Sequence, residues 1–130
     1  MFLQIDAQNG LAVYDQIVRQ VKFAVADGAI ASGELVPSVR ELARELAINP
    51  NTVARAYRQL QDDGVLEAVR GTGLVVAESA RRQCQSERTK LIRARLRTVL
   101  EEAALSGLEQ QEIEQLMRAE STAVRRNKQK

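Results

Sequence analysis

Two helix starts that lie only 11 residues apart constrain the fold of this chain more than any other feature. Ser38 and Glu41 have the spacing of a capping box, in which each side chain accepts a hydrogen bond from the backbone amide of the other residue. Asn49 is a favoured N-cap residue, and Pro50 follows it at the first helical position, where proline is common. The sequence therefore predicts a helix of about eight residues, a turn of about three residues and then another helix.

Apolar residues at helical spacing support both of these helices. The shorter helix carries such a stripe at Val39, Leu42, Ala43 and Leu46. The longer helix, predicted over residues 50–63 and ended by Gly64, carries one at Val53, Ala56, Tyr57 and Leu60. A connection of about three residues between two such helices is typical of the helix-turn-helix motif.

Further elements are predicted on both sides of this motif. An earlier helix ends at Gly28 and has apolar residues at Tyr14, Ile17, Val18, Val21 and Val25. Before that helix, a short strand is predicted from Phe2, Leu3 and Ile5, and residues 28–37 are a connector. Residues 65–69 and 74–77 predict a hairpin around the glycines of residues 70–73 (RGTG). Three helices followed by a hairpin are the order of a winged helix.

The C-terminal part is predicted to be helical. Residues 78–87 are polar and form a linker or a helix start. One later helix carries apolar residues at Ile92, Leu96, Val99, Leu100 and Ala103, and another carries them at Ile113, Leu116, Met117 and Val124. We therefore expect a mainly α fold with a small β wing, in which residues 1–80 form the winged helix and residues 81–130 form a two-helix tail.

The residue composition argues against an enzyme and against a membrane protein. The chain has no histidine and one cysteine, Cys84, which excludes histidine bases, Cys–His nucleophiles and the usual zinc ligand sets. No paired carboxylates or glycine-rich phosphate loop replace them. No apolar run approaches the roughly 18 residues that span a bilayer, and the first residues lack the pattern of a signal peptide. We expect a cytoplasmic protein without a metal or a cofactor.

The charge is unevenly distributed along the chain. Residues 1–80 carry 7 Lys/Arg and 10 Asp/Glu, a net charge of −3, whereas residues 81–130 carry 12 and 7, a net charge of +5. The net charge alone therefore does not indicate nucleic-acid binding, and the positions of individual basic residues matter more.

The side of the third helix opposite its apolar stripe has the chemistry of a DNA-reading surface. It consists of Asn51, Arg55, Arg58 and Asp62. Arg55 can bind the O6 and N7 atoms of guanine or a phosphate, and Asn51 can pair with adenine. We expect the carboxylates of Asp62 and Asp63 to repel the phosphate backbone, so that the helix enters the groove by its first turns.

Three other side chains are candidates for function. Arg70 lies beside the predicted hairpin turn, where it can reach a minor groove or a phosphate. Arg40 lies at the start of the second helix and can touch phosphate or pair within its own helix. Cys84 has Arg81 and Arg82 nearby, which favours a reactive thiolate, but the simpler alternative is an incidental exposed thiol.

Residues 35–76 (LVPSVRELARELAINPNTVARAYRQLQDDGVLEAVRGTGLVV) resemble the GntR family of bacterial transcription regulators. The resemblance lies in the proline–serine cap, the arginine before Glu-Leu-Ala, the Thr-Val segment and the Gly-x-Gly wing, and residues 14–17 (YDQI) extend it. It implies DNA contacts at Arg40, residues 49–52, residues 54–55 and residues 70–72. Because Pro50 and Ala54 stand where the family often has basic residues, Asn51, Thr52 and Arg55 must carry more of the contact. The full predicted set is Arg40, Asn49, Asn51, Thr52, Arg55, Arg58, Arg70, Gly71 and Thr72.

The short tail resembles the YtrA-type branch of this family, whose two C-terminal helices serve dimerisation. Residues 101–117 (EEAALSGLEQQEIEQLM) are similar to the loop region between those helices. Two short amphipathic helices cannot enclose a core by themselves, so a second copy is the simplest partner. The predicted dimerisation residues are Leu96, Val99, Leu100, Ile113, Leu116 and Met117.

These observations favour a homodimeric transcription regulator that binds double-stranded DNA at an inverted repeat. The alternative is a winged-helix module that binds a protein without sequence-specific DNA binding, and an enzyme that uses Asp or Glu pairs is a third class. The sequence does not specify the operator, the regulated genes, the direction of regulation or an effector.

Overall fold

The computed structural model describes residues 3–128 and confirms a mainly helical fold with a small β wing. Its elements are α1 (Val13–Asp27), α2 (Val39–Leu46), α3 (Pro50–Asp62), β1 (Leu66–Val69), β2 (Gly73–Val76), α4 (Ala80–Leu105) and α5 (Gln110–Lys128). Within this part of the chain, no helix combines the length and the apolar character needed to cross a membrane.

The chain divides into two compact units, the first ending at Lys90 and the second beginning at Leu91. The first unit is thus ten residues longer than the winged helix expected over residues 1–80. The physical reason is that Ala80 and Cys84, on the first turns of α4, are fully buried in the core of the first unit.

The helix-turn-helix forms as the capping residues predict. The Glu41 amide donates to Ser38 Oγ and the Ser38 amide donates to Glu41 Oε1, both at 3.1 Å, so the capping box is complete. Asn49 Oδ1 accepts from the Asn51 amide at 2.8 Å and caps α3. Between the helices, Ala47 adopts a left-handed conformation with φ of 54°, where its amide bonds to Arg44 O and ends α2.

The core of the first unit lies mainly between α1 and α3. Ile17 and Val21 on α1 and Val53 and Leu60 on α3 are fully buried in one cluster. Tyr57 belongs to the same cluster, and its hydroxyl donates to Pro37 O at 2.8 Å. This bond links α3 to the segment before α2, and burial of the hydroxyl raises the pKa of Tyr57.

The wing is the predicted hairpin with an additional short pairing. Strands β1 and β2 are antiparallel, with Leu66 opposite Val76, and residues 70–72 make the turn. The connector before α2 also pairs with β2, because the Val36 amide donates to Leu74 O and the Val76 amide donates to Glu34 O, both at 3.0 Å. The sequence pattern predicted only a connector there.

The strand predicted near the N-terminus is wrong for its described residues, Leu3 and Ile5, which form no strand; Phe2 lies outside the described part. Glutamine side chains of α1 provide the hydrogen bonds instead. Gln16 Oε1 accepts from the Asp6 amide at 2.9 Å, and Gln16 Nε2 donates to Asp6 O at 2.8 Å. This segment is therefore held by the buried Gln16 and not by a sheet.

Lys22 joins three helices through an ion cluster in which the lysine is buried and the two carboxylates are partly exposed. Its side chain, on α1, is about 5% exposed, and Nζ donates to Asp63 Oδ2 at 2.8 Å and to Glu87 Oε1 at 3.2 Å. Burial alone would lower the pKa of Lys22, but hydrogen bonds to the two carboxylates and their charges outweigh it and raise the pKa. The end of α3 and the start of α4 are thereby fixed to α1.

Candidate nucleic-acid interface

The face of α3 that was predicted to read DNA is exposed in the structure. Asn51, Arg55 and Arg58 are exposed, and Thr52 is half-buried on the first turn. At this end of the helix Pro50 has no N–H, and the Asn51 and Thr52 amides already donate to Asn49, so the first amides are used by the cap. The positive end of the helix dipole still lies there, which favours a nearby phosphate. Along the first half of α3 the exposed groups are therefore side chains that are able to bind base edges and phosphate.

Arg55 has a partner that sequence reasoning did not identify. Its Cζ atom lies 3.7 Å from the centroid of the Tyr14 ring, in a cation–π contact. Tyr14 occupies the first turn of α1 and was noted only as part of the YDQI segment and as an apolar residue of the helix. The contact brings the start of α1 to the exposed face of α3.

The side chain of Asn49 is less available for a contact with DNA than the sequence implies. Its Oδ1 atom is used by the N-cap hydrogen bond to the Asn51 amide, so the amide group of its side chain remains for another partner. Asn49 therefore shapes the start of α3 as well as lying at the expected surface.

The start of α2 and the wing turn lie side by side. Ser38, Val39, Thr72 and Gly73 line one cavity of about 320 Å³. Arg40 follows Val39 and is exposed, and residues 70–72 of the wing turn are exposed too.

Glycine suits position 73 for two reasons. Its φ is 128°, which other residues rarely adopt, and a Cβ atom there would lie 3.2 Å from Leu35 Cδ1.

Asp63 is not the free carboxylate that we expected at the end of α3. We expected Asp62 and Asp63 together to repel phosphate at the end of α3. Asp63 is instead paired with Lys22, and its Oδ1 accepts from Gln59 Nε2 at 2.9 Å. Only Asp62 remains as an exposed carboxylate at that end.

Comparison with known proteins identifies the family. Residues 13–76 match the family described as bacterial regulatory proteins, gntR family. The chain is 32% identical over 126 residues to the HTH-type transcriptional repressor YtrA of Bacillus subtilis (strain 168), covering 97% of each chain. The chain belongs to the GntR family. It is therefore a DNA-binding transcription regulator of the winged-helix class, which confirms the prediction of a regulator and not an enzyme.

Solved structures agree with this assignment. YtrA from Sulfolobus acidocaldarius, a GntR-family transcription factor, is 28% identical with a TM-score of 0.56, and the match covers 95% of this chain and 99% of that one. The DNA-binding domain of AraR in complex with operator ORX1 is 25% identical with a TM-score of 0.50, covering 59% of this chain and 93% of that one. The likeness to the YtrA-type branch is thus confirmed.

The second unit of this GntR regulator carries exposed apolar side chains on both of its helices, here together called the tail surface. Its members are Ile92, Leu96, Val99, Leu116, Met117 and Val124. Val99 is 59% exposed, whereas Leu100 is half-buried. Ile113, which was predicted as a dimerisation residue, is only 8% exposed and is already covered within its own chain.

Cys84 is a residue of α4 in this GntR regulator, and its side chain is fully buried. We expected either a reactive thiolate or an exposed thiol, and both expectations are wrong. Helix α4 turns the Cys84 side chain into the core. Burial raises the pKa of the Cys84 thiol to about 11, and the charge of Glu87 adds to the shift.

We therefore expect Cys84 to resist modification in the folded protein. A chromogenic disulfide reagent at neutral pH should react with it about a hundredfold more slowly than with the unfolded chain, because thiolate is the reacting form. Ser86→Cys provides the control, since Ser86 is exposed two residues further along α4. Rapid reaction of native Cys84 would contradict its burial.

Proposed function

We propose that this regulator acts in the cytoplasm as a homodimer that binds an inverted-repeat operator and thereby controls transcription. The single observation that carries the proposal is the exposed face of α3, on which Asn51, Arg55 and Arg58 follow a capped helix start. Docking of the first turns of such a helix into the major groove is the usual geometry of helix-turn-helix proteins.

The residues of this surface divide into two roles. Arg55 and Asn51 are the proposed base readers, because a guanidinium matches the acceptors of guanine and a side-chain amide matches adenine. Phosphate and minor-groove contacts come from the remaining residues, which fix the register of the protein on the duplex. These are Arg40, Asn49, Thr52, Arg58, Arg70, Gly71 and Thr72.

The exposed side chains of the tail surface support the proposal of a dimer. At least 44% of the surface of four of them is exposed, and they lie at helical spacing: Leu96 and Val99 on α4, and Leu116 and Met117 on α5. Large exposed apolar patches are uncommon on monomeric soluble proteins and mark interaction sites. A second copy of the chain offers the same surface, and a two-fold dimer would cover both at once.

Footprinting on the DNA upstream of the protein's own gene tests this proposal. We expect protection of two half-sites related by a dyad, with centres about one helical turn apart. Binding should weaken linearly with salt concentration on a double logarithmic plot, since phosphate contacts release counterions.

Two results would contradict the proposal. Protection of a single half-site without a dyad would rule out the symmetric dimer on DNA. Absence of DNA binding at low salt would favour the alternative function, a winged helix that docks on a protein.

A further inference from the structure

The contact between Arg55 and Tyr14 joins an exposed, flexible side chain to an anchored ring. Tyr14 is half-buried and packs against the hydrophobic core of the first unit. Arg55 is exposed on α3, and its Cζ atom lies 3.7 Å from the centre of that ring. The guanidinium of Arg55 therefore contacts a residue on a different helix.

The stacked geometry leaves the hydrogen-bonding capacity of Arg55 open. The Arg55 Cζ atom lies over the Tyr14 ring, and a guanidinium that stacks flat on a ring keeps all five of its N–H donors pointing outward in its own plane. A guanine edge or a phosphate accepts hydrogen bonds in that plane. Stacking on Tyr14 and bidentate contact with DNA are thus compatible.

We propose that Tyr14 is a positioning residue for DNA recognition, which holds the Arg55 guanidinium in place before DNA arrives; this inference rests on the proposed role of Arg55. An arginine free in solvent loses much rotamer freedom when it binds. The stack has already removed part of that freedom in the unbound protein, so less is lost when the operator binds.

Substitutions at Tyr14 separate the ring from the hydroxyl. Tyr14→Leu keeps apolar bulk against the core but removes the ring, and we expect it to weaken operator binding about two- to tenfold, the effect of immobilising one long side chain. Tyr14→Phe keeps the ring and should bind like the wild type. Phe23→Leu makes a matching aromatic-to-leucine change elsewhere on α1 and should leave operator affinity unchanged.

The affinities are measured by fluorescence anisotropy on a duplex with the footprinted half-sites and on a duplex of the same bases in scrambled order. Tyr14→Leu should lose affinity mainly for the operator. In the double variant with Arg55→Ala, the change at Tyr14 should have no further effect, because the residue it positions is absent.

A second measurement detects the stack without DNA. The Nε–Hε resonance of Arg55 in 15N-labelled protein should be displaced upfield by the ring in the wild type and in Tyr14→Phe, and should lose that displacement in Tyr14→Leu. A resonance that is the same in all three proteins overturns the stack itself.

The remaining outcomes separate this inference from the proposed function. If the stack is present but Arg55→Ala binds the operator like the wild type, the role proposed for Arg55 fails and the inference fails with it. If Arg55→Ala weakens binding while Tyr14→Leu does not, only the inference fails. If Tyr14→Phe binds as weakly as Tyr14→Leu, or if the Tyr14 and Arg55 effects add fully, Tyr14 contacts DNA by itself and does not act through Arg55.

Discussion

Replacing Arg55 by alanine is expected to weaken operator binding by roughly 10- to 100-fold and binding to unrelated DNA by much less. A bidentate contact to guanine contributes about 1–3 kcal/mol of discrimination against other bases. Arg55 lies on the exposed face of α3, one turn after the capped start of the helix. Its loss should therefore remove sequence preference more than general affinity. Titration of both DNAs by fluorescence anisotropy measures the ratio directly.

Arg70→Ala is the matched comparison on the wing. Arg70 is exposed at the turn between β1 and β2, where phosphate or minor-groove contacts carry little base information. We expect this variant to weaken both DNAs alike and to make the salt slope shallower by about one unit. If Arg55→Ala reduced both DNAs equally while Arg70→Ala alone removed operator preference, the wing would read the sequence and the proposed docking of α3 would have to be abandoned.

The second large effect is expected in the assembly of the protein. Leu96→Glu combined with Val99→Glu should convert the proposed dimer into a monomer, raising its dissociation constant by about a hundredfold or more, because a carboxylate buried in an apolar seam is costly. Sedimentation velocity at micromolar concentration measures the change. Thr98→Glu is the control, since Thr98 is an exposed polar residue of the same helix.

This experiment uses the full chain for a structural reason. Removing everything after residue 80 would also remove Cys84 and Glu87, which belong to the core and to the Lys22 ion cluster of the first unit. A doubly substituted protein that keeps its helical content but stays dimeric would show that the tail surface is not the seam.

The helix-turn-helix and the wing could be predicted because their signals are local. The capping box of Ser38 and Glu41 and the start at Asn49 depend on residues two or three positions apart, and the structure contains each of these bonds. The exposed face of α3 followed from the same helical periodicity.

The features that sequence analysis missed depend on contacts between distant residues. Lys22 pairs with Asp63 and Glu87, which lie 41 and 65 residues away, and no periodic pattern records such a partner. Cys84 stands among polar residues, so its burial was visible only once α4 was packed on the core. Tyr14 resembled an ordinary core residue because the cation above its ring comes from another helix.

The burial of Cys84 makes this protein convenient for site-directed labelling. Since the native thiol is enclosed and protonated at neutral pH, a cysteine introduced at the exposed Ala68, which is outside the proposed DNA contacts, would be the reactive one in a chain that needs no prior removal of its own cysteine. A fluorophore attached there sits on strand β1 of the wing. Its emission would follow the approach of the wing to a duplex in real time, independently of any signal from α3.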